Sequence, residues 1–210
     1  MLTTAGRDSL LAKFDSDVSH VGLIATITNW RAGTVTEASY TGYARTAITF
    51  GAAADTALSD GRQISNSGAV TFPQNTGSNQ DIIAYGFYTA SSGGTLEGIA
   101  PLDTDLPIAG TVLASTDLIT AYAHGLVTDQ RVFFLKAPFG AAPDVFSENT
   151  AYYVLAAGLT TDLFALSATS GGAAINATTS GVAMFIPYKV QTIASNSTPI
   201  ISIGQAIIQI

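Results

Sequence analysis

Two histidines and a scatter of carboxylates are the groups from which this 210-residue chain could build acid–base or metal chemistry. Asp15, Asp17 and His20 lie within six residues, in Asp15-Ser16-Asp17-Val18-Ser19-His20. Hard oxygens beside an imidazole form a donor set for a divalent cation, but the spacing matches no complete loop such as an EF-hand. The simpler reading is a polar turn at the end of a helix. His124 precedes Gly125 and reads as a turn or surface histidine, with metal sharing between subunits as the alternative. A Ser-His-Asp arrangement would have to use His20 or His124, and neither stands near a G-x-S-x-G elbow. Carboxylate pairs for glycoside hydrolysis could be drawn from Glu37, Glu97 and Glu148, yet any acidic chain offers such pairs. The residues therefore predict no enzyme and no cofactor. The sequons Asn176-Ala177-Thr178 and Asn196-Ser197-Thr198 arise readily in so threonine-rich a sequence.

The elements that would position these groups are almost all strands. Residues 9–14, with Leu10, Leu11 and Phe14 at i, i+1 and i+4, predict one short helix that Thr4 or Asp8 could cap. Strands are expected over 18–28, 40–50, 68–72, 82–89 and 95–100, with 52–67 a surface connection and 106–113 a proline-started edge segment. In 43–50 the positions Tyr43, Arg45, Ala47 and Thr49 alternate with Ala44, Thr46, Ile48 and Phe50, the two-residue period of a half-buried strand. Phe50, Phe72 and Phe87 are expected in the core, and Tyr43 and Tyr88, of opposite parity, on a surface between subunits. Trp30 and Arg31 either form a stacked, exposed anchor or plug one end of a sandwich.

From about residue 114 the texture changes to short strands, near 118–123, 131–135, 152–155, 163–167 and 182–190, before the alternating tail 199–210. Cysteine is absent, which excludes disulfides and zinc–thiolate sites. Charged residues are 11% of the chain, against about 25% in an average globular protein, and hydrophobic residues are 47%. Mean hydropathy is +0.35. Such a chain either enters a membrane or covers its exterior with neighbours, and its apolar runs fall short of the roughly 20 residues a spanning helix needs. A transmembrane barrel is the other membrane form, but aromatic girdles at a repeated strand spacing are not evident, so assembly is the leading reading. The net charge of −7 and eight scattered Lys and Arg exclude a phosphate-binding stripe and hence nucleic acid as partner.

The series 39–51, 64–73 and 85–96 resembles a small β family of tailed bacteriophages labelled tail fibre or minor structural protein. The resemblance rests on an N-terminal helix, then Tyr43-Ala44-Arg45-Thr46-Ala47-Ile48-Thr49-Phe50-Gly51, Val70-Thr71-Phe72-Pro73 and Gly86-Phe87-Tyr88-Thr89-Ala90-Ser91-Ser92-Gly93-Gly94. In that family two terminal strands follow the hairpin directly. Here they are separated, so the resemblance implies a split domain of residues 1–113 plus 192–210, with 114–191 inserted and projecting. The inserted part is similar to a β module appended to phage tail and surface proteins. The fold expected is all-β, an antiparallel β-sandwich with one short N-terminal helix and an inserted second small β domain. The function expected is a non-enzymatic virion protein made in the host bacterial cytoplasm. A capsid decoration or cement protein leads, and the alternative is a tail fibre or minor tail protein carrying a receptor- or glycan-binding module. Its expected partners are itself, as a homotrimer, and the major capsid protein or tail proteins, with no nucleic acid and no membrane.

Overall fold

The computed structural model describes residues 3–29, 32–56, 61–102, 107–114, 116–136, 141–148 and 150–209. Among them the chain is all-β apart from the helix Thr4–Asp17. The helix starts earlier than the periodicity suggests, because Thr3, in extended conformation, accepts the Gly6 N–H at 3.2 Å and is the cap in place of Thr4 or Asp8. It buries Leu11 and sets Phe14 edge-on to Phe50 at 5.9 Å and Phe87 at 5.7 Å. At its far end Val18 turns extended and its N–H still reaches the Phe14 carbonyl, which closes the last turn.

The chain divides into two compact units, one of 1–26, 35–100 and 191–210, the other of 27–34 and 101–190. In the first, the strands Thr34–Glu37, His20–Asn29, Ala84–Tyr88 and Leu96–Pro101 lie side by side in that order, and Thr46–Ala47 pairs with the start of His20–Asn29. Register places Val21 against Phe87 and Leu23 against Tyr85 on the face toward the helix, and Gly22 against Gly86 and His20 against Tyr88 on the other. The long strand expected over 40–50 is reduced to Thr46–Ala47. Tyr43 N–H closes a turn on the Tyr40 carbonyl, and Gly42 sits at φ +97°, so the chain bends where alternation alone predicts extension. The expected surface connection 52–67 contains the strands Ala54–Asp55 and Arg62–Ser65, with Ile64 buried.

Three small sheets of the first unit form one interrupted antiparallel ribbon. The tail strands Gln191–Ile193, Ile200–Ile201 and Ile207–Gln209 pair in succession with Gln80–Ile82, Val70–Thr71 and Arg62–Ser65. The register slips twice. Between the first two pairings, three steps of tail from Ile193 to Asn196 run beside five steps from Gln80 to Asn75, whose backbones exchange a bond at 2.7 Å. Between the second and third, six steps of tail from Ile201 to Ile207 run beside five from Val70 to Ser65. A buried asparagine fills each irregularity. Asn75 donates to the carbonyls of Ser78, Ile193 and Ala194 and accepts from Gly77 N–H. Asn66 donates to the carbonyls of Gly68 and Ser202 and accepts from Ala206 N–H. Both are essentially solvent-free, at 0% and 1% exposure, which requires that their amides be fully paired.

The second unit is a seven-stranded sheet whose two edge strands, Leu163–Phe164 and Leu166–Ser167, are separated only by Ala165. One edge pairs with Ile119–Thr120 and the other with Ala151–Val154, so the sheet closes on itself as a small barrel. Phe185 is its central core ring, with Phe134, Phe146 and Phe164 at 6.1, 5.8 and 5.4 Å. Closure also corrects the expected boundary. Ile108–Val112, placed in the first domain by resemblance, pairs along its whole length with Gly181–Tyr188 of the barrel. The chain leaves the barrel where it entered: Lys189 N–H donates to the Leu102 carbonyl at 3.3 Å.

Candidate functional site

The motif residues Tyr43, Arg45, Gly86 and Tyr88, far apart in sequence, meet on the sheet face opposite the helix. Gly22 and Gly86 sit directly across from each other on neighbouring strands. A Cβ on Gly22 would lie 2.8 Å from the Tyr43 hydroxyl, and one on Gly86 would lie 2.8 Å from the Tyr88 ring. The two glycines thus form a trough into which Tyr88 folds, to 3% exposure. Over that ring lies the Arg45 guanidinium, its carbon 3.4 Å from the centroid.

Arg45 is held in place by four further bonds. Its Nε and Nη2 grip the Glu37 carboxylate at 3.0 and 2.6 Å in a two-pronged pair. Nη1 donates to the carbonyls of Ala90 at 3.0 Å and Gly93 at 2.5 Å, fastening the hairpin loop after Tyr88. Tyr43 completes the cluster by donating to Glu37 at 2.9 Å and accepting Leu23 N–H at 3.0 Å. Burial pushes the Glu37 carboxyl up, but the Arg45 and Tyr43 hydrogen bonds outweigh it and hold the group below its ordinary value. Burial, followed by the Glu37 charge, pushes the Tyr88 phenol up to about 12 and that of Tyr43 still further. The cluster is one anion and one cation locked together beside two neutral phenols. Around it Glu37, Tyr43, Ala44, Arg45, Ser91 and Gly93 border an open cleft of about 370 Å³.

No reacting group is poised in that cleft, since the carboxylate is paired and the guanidinium donates to the protein's own carbonyls. Of the remaining carboxylates, Glu97 is exposed on Leu96–Pro101, and Glu148 belongs to the barrel, where it accepts Lys136 N–H at 3.3 Å. Asp17 pairs with Lys13 one helical turn away, His20 Nδ1 rests 2.8 Å from Ser19 Oγ, and Asp15 is exposed. Among the described residues no three His, Asp or Glu side chains gather as metal ligands. His124 is a turn histidine: Nδ1 accepts Leu126 N–H at 3.0 Å, Nε2 lies 3.2 Å from the Leu163 carbonyl, and the ring meets Phe164 edge-on at 5.1 Å.

The four interface candidates fare differently. Trp30 and Arg31 lie outside the described residues. Tyr43 is half-buried and Tyr88 buried, so neither presents an open aromatic surface. Tyr88 lies on the face opposite Phe87, as its parity predicts. That face is not open, because the clamp covers it as the helix covers the other. Glu37 appeared only as a loose carboxylate in the sequence, although its spacing of i+6 and i+8 to Tyr43 and Arg45 was the available signal. Asn66 and Asn75 gave none beyond their places in polar turns.

Residues 17–120 match a protein-family model described as podophage GP4 fiber I protein gp80. No curated protein and no solved structure matches the chain. The matched stretch contains every member of the clamp, from Gly22 through Glu37, Tyr43 and Arg45 to Tyr88 and Gly93.

Proposed function

We propose that this chain, which belongs through residues 17–120 to a structural protein family of tailed bacteriophages, serves in the fibre apparatus of the virion, with the first unit as its attachment domain and the barrel as a contact module. The observation that carries the reading is the family match, because its printed description is that of a fibre protein. The clamp supports it from the physical side. The motif residues that define the resemblance spend their charges on one another, which suits a scaffold that bears load and makes or breaks no bond. The fibre role, set out above as the alternative, thereby takes precedence over capsid decoration.

Self-association, as a homotrimer, belongs to the same proposal. Alternate residues of the barrel's outer surface, Ala109 and Thr111 on one strand with Leu113 just past its end, and Val182 and Met184 on the next, carry no charge, and Leu113 is 48% and Val182 38% exposed. An uncharged outer face on adjacent strands favours contact with neighbouring copies or other tail proteins. Quantitative mass spectrometry of purified phage tests the location. A few tens of copies per particle are expected; hundreds would move the chain to the capsid shell and overturn the fibre reading. Light scattering on the purified protein tests the trimer separately.

A further inference from the structure

We infer that segment 63–82 is a strand-acceptor groove whose ligand is the chain's own residues 191–209, a strap that closes after the barrel has been made and that the same stretch of a second copy can replace.

The strap's hold is almost entirely remote in sequence. The clasp bonds from Asn75 and Asn66 reach across 118 residues to Ile193 and 136 to Ser202. None depends on the covalent link at 190–191. Added to the three strand pairings, they give the groove an edge that recognises three short extended stretches of backbone, in the mode by which a strand is added to a sheet, and the two turns between them, closed by Ser197 N–H on the Ala194 carbonyl and Gln205 N–H on the Ser202 carbonyl. The clasps also fix the register. Each asparagine binds tail backbone at a point where the ladder slips, and a tail shifted by two residues would leave buried amide groups unpaired. Side-chain selection comes from the buried positions Ile193, Ile201 and Ala206, at 3%, 2% and 1% exposure. The groove therefore fits a segment of three short strands joined by turns at Asn196 and Gly204, with two isoleucines and an alanine at those spacings, which is this chain's own tail.

Order of synthesis supplies the last step. Segment 63–82 is made before the barrel, and the strap after it. Until the strap arrives, the edges at Gln80–Ile82, Val70–Thr71 and Arg62–Ser65 lack that partner, and an edge so left pairs with whatever matching strand is present. The tail of a neighbouring copy is chemically identical to the chain's own.

The test uses the full-length protein with a specific protease site placed between Val190 and Gln191 and cut after folding. The severed tail is expected to co-elute with the body in gel filtration, and an excess of labelled synthetic peptide 191–210 to replace it. The same peptide carrying Ile193→Asp and Ile201→Asp should fail to enter. Asn75→Ala in the cut protein should weaken retention about a hundredfold, the loss expected when buried carbonyls are orphaned. Asn66→Ala serves as a second, independent variant should the first not fold. Departure of the tail while 63–82 keeps its protection from amide exchange would overturn the groove. Retention with no entry of labelled peptide on prolonged incubation would overturn replacement by a second copy.

Discussion

The two units solve the same problem, closing a β core, by opposite means. The barrel is nearly continuous in sequence, joins its own edges through Ala165 and fills its centre with Phe134, Phe146, Phe164 and Phe185. The first unit is assembled from pieces on either side of the barrel in sequence, and polar groups fasten it: asparagines 66 and 75 hold the later piece, and the Arg45–Glu37 clamp ties strand and hairpin loop within the earlier one. Shape and apolar volume suffice where neighbours in space are near in sequence. Where a distant segment must find one register among several, directional bonds that punish every other register do the specifying.

The contrast is broken most severely by Phe185→Ala. It should cost about 3–5 kcal/mol, because the surrounding rings cannot collapse into the hole, and amide exchange should show the barrel opening while the first unit keeps its protection. Arg45→Ala is the matching cut in the other unit. It leaves a half-buried Glu37 unpaired and frees the carbonyls of Ala90 and Gly93, a loss of about 2–3 kcal/mol by chemical denaturation. Retention of wild-type stability by this variant would remove the clamp from the account. The clamp also carries a pH signature. Glu37 titrates below its ordinary value of 4.5 in the folded chain, so its stabilisation is complete above that value and fades as pH falls through the lower folded one. Glu37→Gln should flatten that part of the stability profile and leave the barrel's response unchanged. Gly22→Ala, whose methyl would meet the Tyr43 hydroxyl at 2.8 Å, should cost about 1–3 kcal/mol. The smallest effect belongs to Lys13→Ala. Its lysine is 70% exposed in an i,i+4 pair with Asp17, and thermal melts should move by less than the equivalent of about 0.5 kcal/mol.

Much of this architecture was legible in the residues. Alternation locates most strands to within a few positions, and the spacing of Leu11 and Phe14 locates the helix. The failures share a cause. Parity gives the face of a residue, and it cannot tell whether that face is covered, so Tyr43 and Tyr88 were assigned outward when Arg45 and Glu37 roof them. Local texture likewise cannot reveal a ring closure. The strand at 108–112 looked like an edge of the first unit because its partner, 181–188, lies some seventy residues further on. The bend at Gly42 was hidden within an alternating run whose propensity favours extension, and the clasp asparagines look like any other turn residue until the ladder beside them is seen to slip.

The hydrogen bond between Lys189 and Leu102 has a consequence for how such chains diversify. Two ends that meet at one strand spacing, about 5 Å, form a socket: any module whose termini lie that close can be exchanged there without stretching the body or the tail that locks it. A lineage could then change what it presents to its surroundings by swapping the payload while the mounting stays the same.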